Sequence, residues 1–196
     1  MKFNMESKIA SILKEGSELR IDSIKLIPKI TEAISLMTDS LKNNNKILIC
    51  GNGGSSSQSD HFSAELIGRY EKEGKAINCI SLTIPAVLTA VSNDYGFEYV
   101  FSRQIEAIGN KGDILIAITT SDFNQEDKHS INIKNAIEKA KIKGLKTIGL
   151  FSIKSEKIQN LVDIPIMINS KNTARIQEMH ITILHIFALF LEENLR

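Results

Sequence analysis

The chain has 196 residues, of which 42% are apolar and 24% charged, so a single substantial core is expected rather than two independent ones. Its 24 basic and 23 acidic residues leave a formal net charge of +1, without a long run of either sign. Neither a nucleic-acid-binding surface nor an acidic tail is therefore predicted, and small neutral or anionic partners remain open.

Two further features bear on the cellular compartment. Cys50 and Cys79 lie in apolar, strand-like segments without CxxC spacing, so buried reduced thiols are predicted. The first ten residues, MKFNMESKIA, lack the apolar core of a signal peptide, and the apolar stretch near residue 185 is interrupted by His180, Thr182 and His185. We expect a cytoplasmic protein without a membrane span.

Two helical patterns come first along the chain, at about 4–20 and 24–43, with Pro28 in the first turn of the second. The second pattern places five apolar residues on one stripe: Ile27, Ile30, Ile34, Met37 and Leu41. Because both patterns precede the first clear strand, they predict a helical arm over 1–45 that packs on the sheet or on another subunit.

Strands and helices then alternate. Strands are predicted at 47–50, 76–82, 113–120, 146–151 and 164–168, and helical segments after the first strand, near 85–108, 131–143 and 155–160, and at 173–193. This alternation predicts an α/β fold with a five-stranded parallel, flavodoxin-like sheet, helices on both faces and ligands at the carboxyl ends of the strands. The last helix is apolar around much of its circumference, which favours oligomerisation.

The segment from Ile47 to Arg69, ILICGNGGSSSQSDHFSAELIGR, joins a strand, a glycine turn and a helix. The glycines allow close approach to the backbone, so the N–H groups of residues 52–56 are predicted to cradle a phosphate at the helix N-terminus. The pattern is neither GxGxxG nor GxxxxGK[ST], so neither a dinucleotide nor a nucleoside triphosphate is predicted. A plain strand-to-helix connection is the alternative interpretation.

His61, Glu65 and Arg69 follow at four-residue spacing, which places them along one helix face. A histidine and a carboxylate one turn apart can share a metal ion or divide the roles of base and acid. The alternative is an ordinary solvated helix face.

In the last helix, Gln177 and His185 are eight residues apart and can line one edge of a pocket. His180, in apolar surroundings, is predicted to have a structural role, and His129, in a charged loop, to be solvated.

Hydroxyl groups follow the third strand at Thr119, Thr120 and Ser121, and again at Ser130, before a helix. At the carboxyl end of a parallel strand they suit an anionic sugar ligand, although Ser130 is equally a candidate helix N-cap. Asp94 adds a carboxylate near the same sheet edge, with an ordinary turn or cap role as the alternative.

Several segments resemble the sugar isomerase (SIS) domain family, and specifically the bacterial phosphoheptose isomerases. They are CGNGGSSSQSDHFSAELIGRY, LTAVSNDYGFEYVFSRQIEAIG, KGDILIAITTS and TARIQEMHITILH, in the expected order. Because the resemblance runs from the helical arm to the last helix, residues 1–196 are interpreted as one SIS domain. It implies a cytoplasmic homotetramer that isomerises sedoheptulose 7-phosphate to D-glycero-D-manno-heptose 7-phosphate through an enediol, in heptose synthesis for lipopolysaccharide or capsule.

The resemblance also implies site residues. Glu65 and His185 correspond to the catalytic acid–base pair. Where relatives hold zinc, the ligands correspond to His61, Glu65, Gln177 and His185. Substrate contacts correspond to Asn52, Gly53, Ser55, Arg69, Asp94, Thr119, Thr120, Ser121, Ser130 and Gln177.

Two departures from the family pattern affect the predicted substrate. The usual STSGNS loop is replaced by TTSDFNQEDKHSIN, an insertion of about six residues that carries Asp122, Glu126 and Asp127. Carboxylates facing a phosphate would weaken its binding, unless they point to solvent or pair with Lys128. Ala174 replaces a substrate-contacting Asp of some relatives.

Two alternatives stay open. The same fold can bind a sugar phosphate or a protein without catalysis, as in the SIS protein that bridges copies of the replication initiator DnaA. The altered loop also allows an isomerase of another phosphosugar.

Overall fold

A parallel sheet of five strands organises the fold in the computed structural model, which describes residues 4–123, 126 and 130–196. The strands are β1 (Ile47–Gly51), β2 (Cys79–Ser81), β3 (Ile114–Ile118), β4 (Lys146–Ser152) and β5 (Ile164–Ile168). Their order across the sheet is β2-β1-β3-β4-β5, and every neighbouring pair is parallel. The predicted α/β class and flavodoxin-like order are confirmed.

Helices surround this sheet. They are α1 (Met5–Asp22), α2 (Ile27–Lys42), α3 (Gly54–Ile67), α4 (Pro85–Tyr95), α5 (Ser102–Ile108), α6 (Ile131–Ile142) and α7 (Thr173–Leu195). Short 3-10 helices lie at Ser23–Leu26, Phe97–Tyr99 and Ile158–Leu161. The first separates α1 from α2, and Pro28 lies in the first turn of α2, as predicted.

The two faces of the sheet carry different helices because alternate strand residues point to opposite sides. On one face, Ile47 and Ile49 belong to the core cluster that includes residues of α2, α3 and α7. On the other face, Leu48 and Cys50 pack in the cluster formed with α5 and α6. The continuous apolar runs of the central strands therefore supply both layers.

Several predicted boundaries differ from the structure. The edge strand β2 is shorter than 76–82, because the N–H of Ile77 donates to Leu66 O, at 3.0 Å, and not to a strand. The segment 85–108 divides into two helices because Gly96 adopts a φ of 101°, a value glycine tolerates. The helical segment predicted near 155–160 is a 3-10 helix at Ile158–Leu161.

The helical arm contributes unequally to the core. Ile30 and Met37 of α2 are buried in the core cluster of the sheet. Ile27, which the predicted stripe included, is 56% exposed, and Leu13 of α1 is 69% exposed. The arm therefore packs mainly through α2 and leaves apolar side chains of α1 at the surface.

By length and composition alone, α7 is long and apolar enough to cross a membrane, with a mean hydropathy of 1.2 over 18 residues. In the fold, half of that stretch is buried, and α7 packs against α2 and α3. It also carries three buried polar side chains, Arg175, His180 and Glu192.

Cys50 and Cys79 are both buried and unpaired, as predicted. Burial raises the pKa of each thiol to about 12, although a hydrogen bond involving Ser63 opposes this for Cys79. Both thiols are therefore protonated at neutral pH.

Candidate active site

The glycine turn connects β1 to α3. Gly53 adopts a φ of 55°, and a Cβ atom on Gly51 would lie 2.6 Å from Ser55 Cβ, so both positions require glycine. The N–H groups of Ser55 and Ser56 donate to the carbonyls of Asn52 and Gly53, both at 3.0 Å. The predicted cradle of free amides over 52–56 is therefore wrong for these two residues, whose N–H groups already have partners within the turn.

Helices α3 and α7 meet at a cluster of His61, Glu65 and His185. Glu65 Oε1 lies 2.9 Å from His61 Nε2 and 3.3 Å from His185 Nε2. The two Nε2 atoms are 3.2 Å apart. His61 is exposed, whereas Glu65 and His185 are partly buried. The structure thus brings together, from helices more than 100 positions apart, the proposed catalytic pair and one further histidine.

The same three side chains could hold a metal ion, since their ligand atoms lie within 4.8 Å of one another. The second carboxylate oxygen, Glu65 Oε2, is buried without a hydrogen-bond partner. A buried carboxylate oxygen ordinarily has one, so this atom has capacity for a further ligand. Imidazole nitrogens and carboxylate oxygens are ligands that zinc takes in proteins. The donor set therefore fits the divalent metal implied by the sequence.

Gln177 lies against the start of α3. A Cβ atom on Gly54 would lie 2.6 Å from Gln177 Nε2, so the amide of Gln177 packs directly on the backbone of Gly54. The backbone carbonyl of Gln177 accepts a hydrogen bond from Gln58 Nε2 at 2.7 Å. Gln177 lies eight residues before His185 on α7. It thus contacts the start of α3, the helix that carries His61.

Arg69 does not continue the helix face of His61 and Glu65. Helix α3 ends at Ile67, and Gly68 is its C-cap. The Arg69 side chain is exposed and pairs with Glu73 at 2.6 Å. The helical placement predicted for Arg69 is therefore wrong, because the glycine ends the helix one residue earlier.

The next residue, Tyr70, was not predicted as part of the site. Its ring stacks on His185, with ring centroids 5.7 Å apart and an interplanar angle of 24°. Both residues line a cleft of about 310 Å³ that is bordered by Arg20, Tyr70, Thr182, His185, Ile186 and Leu189. A tyrosine directly after a helix-ending Gly-Arg pair carries no sequence signal of its own.

The segment Thr119, Thr120 and Ser121, after β3, is hydrogen-bonded to β4. Thr119 Oγ1 donates to Ser121 O at 2.9 Å, and Ser152 Oγ of β4 donates to Thr120 O at 3.0 Å. Ser130 occupies the N-cap position of α6, but its φ is 53° and its side chain makes no capping hydrogen bond. The position of the predicted cap is right, and the hydrogen bond expected of it is absent.

Asp122, the first carboxylate of the insertion, has backbone partners. It accepts N–H groups from Lys157 at 2.8 Å and Ile158 at 3.0 Å, at the start of the 3-10 helix Ile158–Leu161. Its charge therefore lies at a helix N-terminus, where N–H groups favour an anion. Asp127, Lys128 and His129 lie outside the described residues, so the predictions made for them have no structural counterpart.

Three other sequence positions have clear surroundings. Asp94 is exposed on the last turn of α4, where it accepts a hydrogen bond from Asn93 at 2.8 Å. His180 is fully buried, with Nε2 3.2 Å from Phe151 O, as suits the structural role predicted for it. Ala174 is exposed in the first turn of α7.

Known protein families and solved structures are similar to this chain. Residues 10–152 match the SIS domain family, SIS_2. The chain is 44% identical over 182 residues to the phosphoheptose isomerase of Helicobacter pylori strain P12, covering 92% of this chain and 91% of that protein. It is 42% identical over 195 residues to the phosphoheptose isomerase of Cytophaga hutchinsonii, covering 97% and 99%. A solved phosphoheptose isomerase structure from Francisella tularensis matches with a TM-score of 0.91 at 34% identity, over 97% of this chain and 100% of that one. The chain belongs to the SIS domain family and, within it, to the phosphoheptose isomerases.

Proposed function

We propose that this protein is an aldose–ketose isomerase that converts sedoheptulose 7-phosphate to D-glycero-D-manno-heptose 7-phosphate. Membership of the phosphoheptose isomerases supports the substrate. The observation that carries the chemistry is the approach of Glu65 Oε1 and His185 Nε2 to 3.3 Å, from two different helices, beside a cleft. A base and an acid placed this close can act on two neighbouring carbon atoms and their oxygens.

The reaction follows from these two groups. The Glu65 carboxylate takes the proton from C1 of the ketose while His185 gives a proton to the carbonyl oxygen on C2, which produces the enediol. His185 then takes the proton of the C1 hydroxyl as Glu65 returns its proton to C2, which leaves an aldehyde at C1. Each group ends in its starting protonation state, as general acid–base catalysis requires.

His61, Glu65, Gln177 and His185 are the residues that would hold a zinc ion. When bound, zinc supplies a Lewis acid that polarises the carbonyl oxygen of the substrate. Glu65 Oε2 supports this assignment because it is buried without a hydrogen-bond partner and so has capacity for a further ligand.

The phosphate is assigned to the two loops at the carboxyl ends of β1 and β3. The proposed substrate contacts are Asn52, Gly53, Ser55, Arg69, Asp94, Thr119, Thr120, Ser121, Ser130 and Gln177. The reciprocal hydrogen bonds between the side chains of Asn52 and Asn132, at 2.9 and 2.8 Å, support one shared site, because they join the two loops.

We further propose a cytoplasmic homotetramer. Exposed apolar side chains on α1, including Met5, Ile9 and Leu13, support assembly through this helix. Light scattering coupled to size exclusion gives the mass of the assembly directly.

The test of the function is conversion of sedoheptulose 7-phosphate by the purified protein, with and without added zinc. Glu65→Gln and His185→Ala should each remove turnover without changing the mass of the assembly. Turnover of a different ketose phosphate in a substrate panel would instead identify another isomerase. A wild-type protein that binds the sugar phosphate or a protein partner and turns over none of the panel would replace catalysis with a binding function.

A further inference from the structure

Residues 68–75, between α3 and β2, form neither helix nor strand, and side chains of α7 and its C-cap residue Arg196 bind several of their backbone groups. The carboxylate of Glu192, on α7, accepts three consecutive N–H groups, from Tyr70 at 2.8 Å and from Glu71 and Lys72 at 2.9 Å. Its side chain is 0% exposed. Burial alone would raise the pKa of Glu192, but the three N–H groups and Arg196 lower it, so the group is a carboxylate at neutral pH.

Arg196 binds three carbonyl groups of the same segment and one at the end of α3. Its guanidinium pairs with Glu192 and is itself 1% exposed. It donates to the carbonyl oxygens of Leu66, Gly68, Lys72 and Lys75, at distances of 2.9, 3.1, 2.9 and 3.0 Å. One buried ion pair therefore binds three N–H groups and three carbonyl groups of the segment.

A buried ion pair of this kind is weak evidence for stability, because desolvating two charges costs about as much as their attraction returns. Its position suggests another role. Tyr70, whose N–H group Glu192 holds, places its ring on the imidazole of His185. The Nε2 atom of the same imidazole lies 3.3 Å from Glu65 Oε1 and 3.2 Å from His61 Nε2.

We propose that Glu192 and Arg196 are positioning residues of the isomerase site. They hold residues 68–75 so that the Tyr70 ring packs on His185 and keeps its Nε2 directed at Glu65. This inference rests on the proposed function for its effect on turnover. The placement of Tyr70 against His185 can be measured without any activity.

The measurement is the ¹H chemical shift of His185 Hε1, because the ring current of a stacked tyrosine moves this signal upfield. The chain has four histidines, so substitution of each one assigns the signals. Tyr70→Phe should keep the upfield shift, and Tyr70→Leu should remove it. Glu192→Gln and Arg196→Met should also remove it, and Arg196→Lys, which keeps the charge but loses the fork of donors, should reduce it.

A matched control exists at the amino end of the sheet. Asp113 is also buried, and it accepts N–H groups from Lys46 at 3.0 Å and Asn110 at 2.8 Å together with the ammonium of Lys46 at 2.6 Å. Asp113→Asn removes a comparable buried carboxylate away from His185. It should lower thermal stability while leaving the His185 signal and kcat unchanged.

Two further readouts separate positioning from stability. Trypsin should cleave after Arg69, Lys72 or Lys75 faster in Glu192→Gln and Arg196→Met than in Asp113→Asn, when all are compared well below their melting temperatures. In Glu192→Gln and Arg196→Met, kcat should fall about tenfold because a catalytic group is misplaced. Tyr70→Phe should restore kcat relative to Tyr70→Leu.

Opposite results overturn the inference. If Glu192→Gln and Arg196→Met keep the His185 shift and wild-type kcat, and lose only stability as Asp113→Asn does, the pair is structural. If these variants do not fold, an unchanged His185 signal in Tyr70→Leu or Arg196→Lys leads to the same conclusion. Absence of wild-type turnover would reject the proposed function, whereas the chemical shift would still decide the positioning.

Discussion

Asn52 and Asn132, 80 positions apart in sequence, exchange two hydrogen bonds between their side-chain amides, at 2.9 and 2.8 Å. Asn52 follows β1, and Asn132 lies in the first turn of α6 after the inserted loop. Because each amide uses one donor and one acceptor on the other, the pair fixes the distance between the two loops assigned to the phosphate.

Replacing either asparagine should cost both stability and substrate affinity. Asn132→Ala leaves the partly buried amide of Asn52 without its partner, which lowers the free energy of unfolding by about 1–3 kcal/mol. The Michaelis constant should rise more than kcat falls, because we propose that these loops bind the phosphate and not the reacting carbons. A double-mutant cycle with Asn52→Ala should give a coupling energy of about 0.5–3 kcal/mol, and strict additivity would reject the pair as a unit.

Asp122 should hold the loop after β3, which we propose to bind phosphate, against the 3-10 helix Ile158–Leu161. Asp122→Ala removes the acceptor for Lys157 N and Ile158 N, so stability should fall by about 1 kcal/mol, as for a helix cap, and the Michaelis constant should rise. Asp163 is the matched control, since it accepts the N–H and hydroxyl of Thr147, both at 2.8 Å, at the start of β4. If Asp163→Ala raises the Michaelis constant equally, general destabilisation explains the effect.

The order of the strands could be predicted from sequence because it depends on strong, local patterns. Buried apolar runs such as 47–50 and 114–118 alternate with helical periodicity, and few topologies accommodate that alternation. Boundaries were less predictable where a single backbone hydrogen bond decides them. Ile77 belongs to an apolar segment, yet its N–H bonds to the end of α3, so β2 begins two residues later.

The candidate site was likewise predictable from sequence only where it depends on local periodicity. The spacing of His61 and Glu65 follows from helix periodicity, and the structure places them 2.9 Å apart. That His185 joins them depends on the packing of α3 against α7, which the sequence indicated only through its family resemblance. Tyr70 and Glu192 could not be predicted, because nothing local to a helical glutamate shows that it caps a segment about 120 positions away.

Metal binding should depend on His61. Metal-free wild-type protein, titrated with zinc against a chromophoric chelator, should bind one ion per chain, and His61→Ala should weaken binding at least about tenfold. His180→Gln is the control. His180 is buried against Phe151 O, so its replacement should leave zinc affinity unchanged. Equal affinities of the wild type and His61→Ala would remove His61 from the set of metal ligands.

His180 should also make stability depend on pH. Burial lowers its pKa to about 4 from an ordinary value of 6.5, although the contact with Phe151 O opposes this. The unfolded chain therefore binds a proton at a higher pH than the folded chain does. Stability from this group is complete above pH 6.5 and is lost as the pH falls from 6.5 towards 4.

The expected size is about 1.4 kcal/mol per pH unit, or about 2 kcal/mol between pH 6.5 and 5 for one histidine. His180→Gln keeps an amide donor for Phe151 O but cannot titrate, so its free energy of unfolding should lose about 2 kcal/mol less than that of the wild type over this range. Urea unfolding at pH 7 and pH 5, at one protein concentration, gives the comparison. Glu192 does not interfere, because its pKa lies below 4.5 and its contribution is lost only at lower pH. An equal pH dependence in both proteins would show that His180 is not the group that responds.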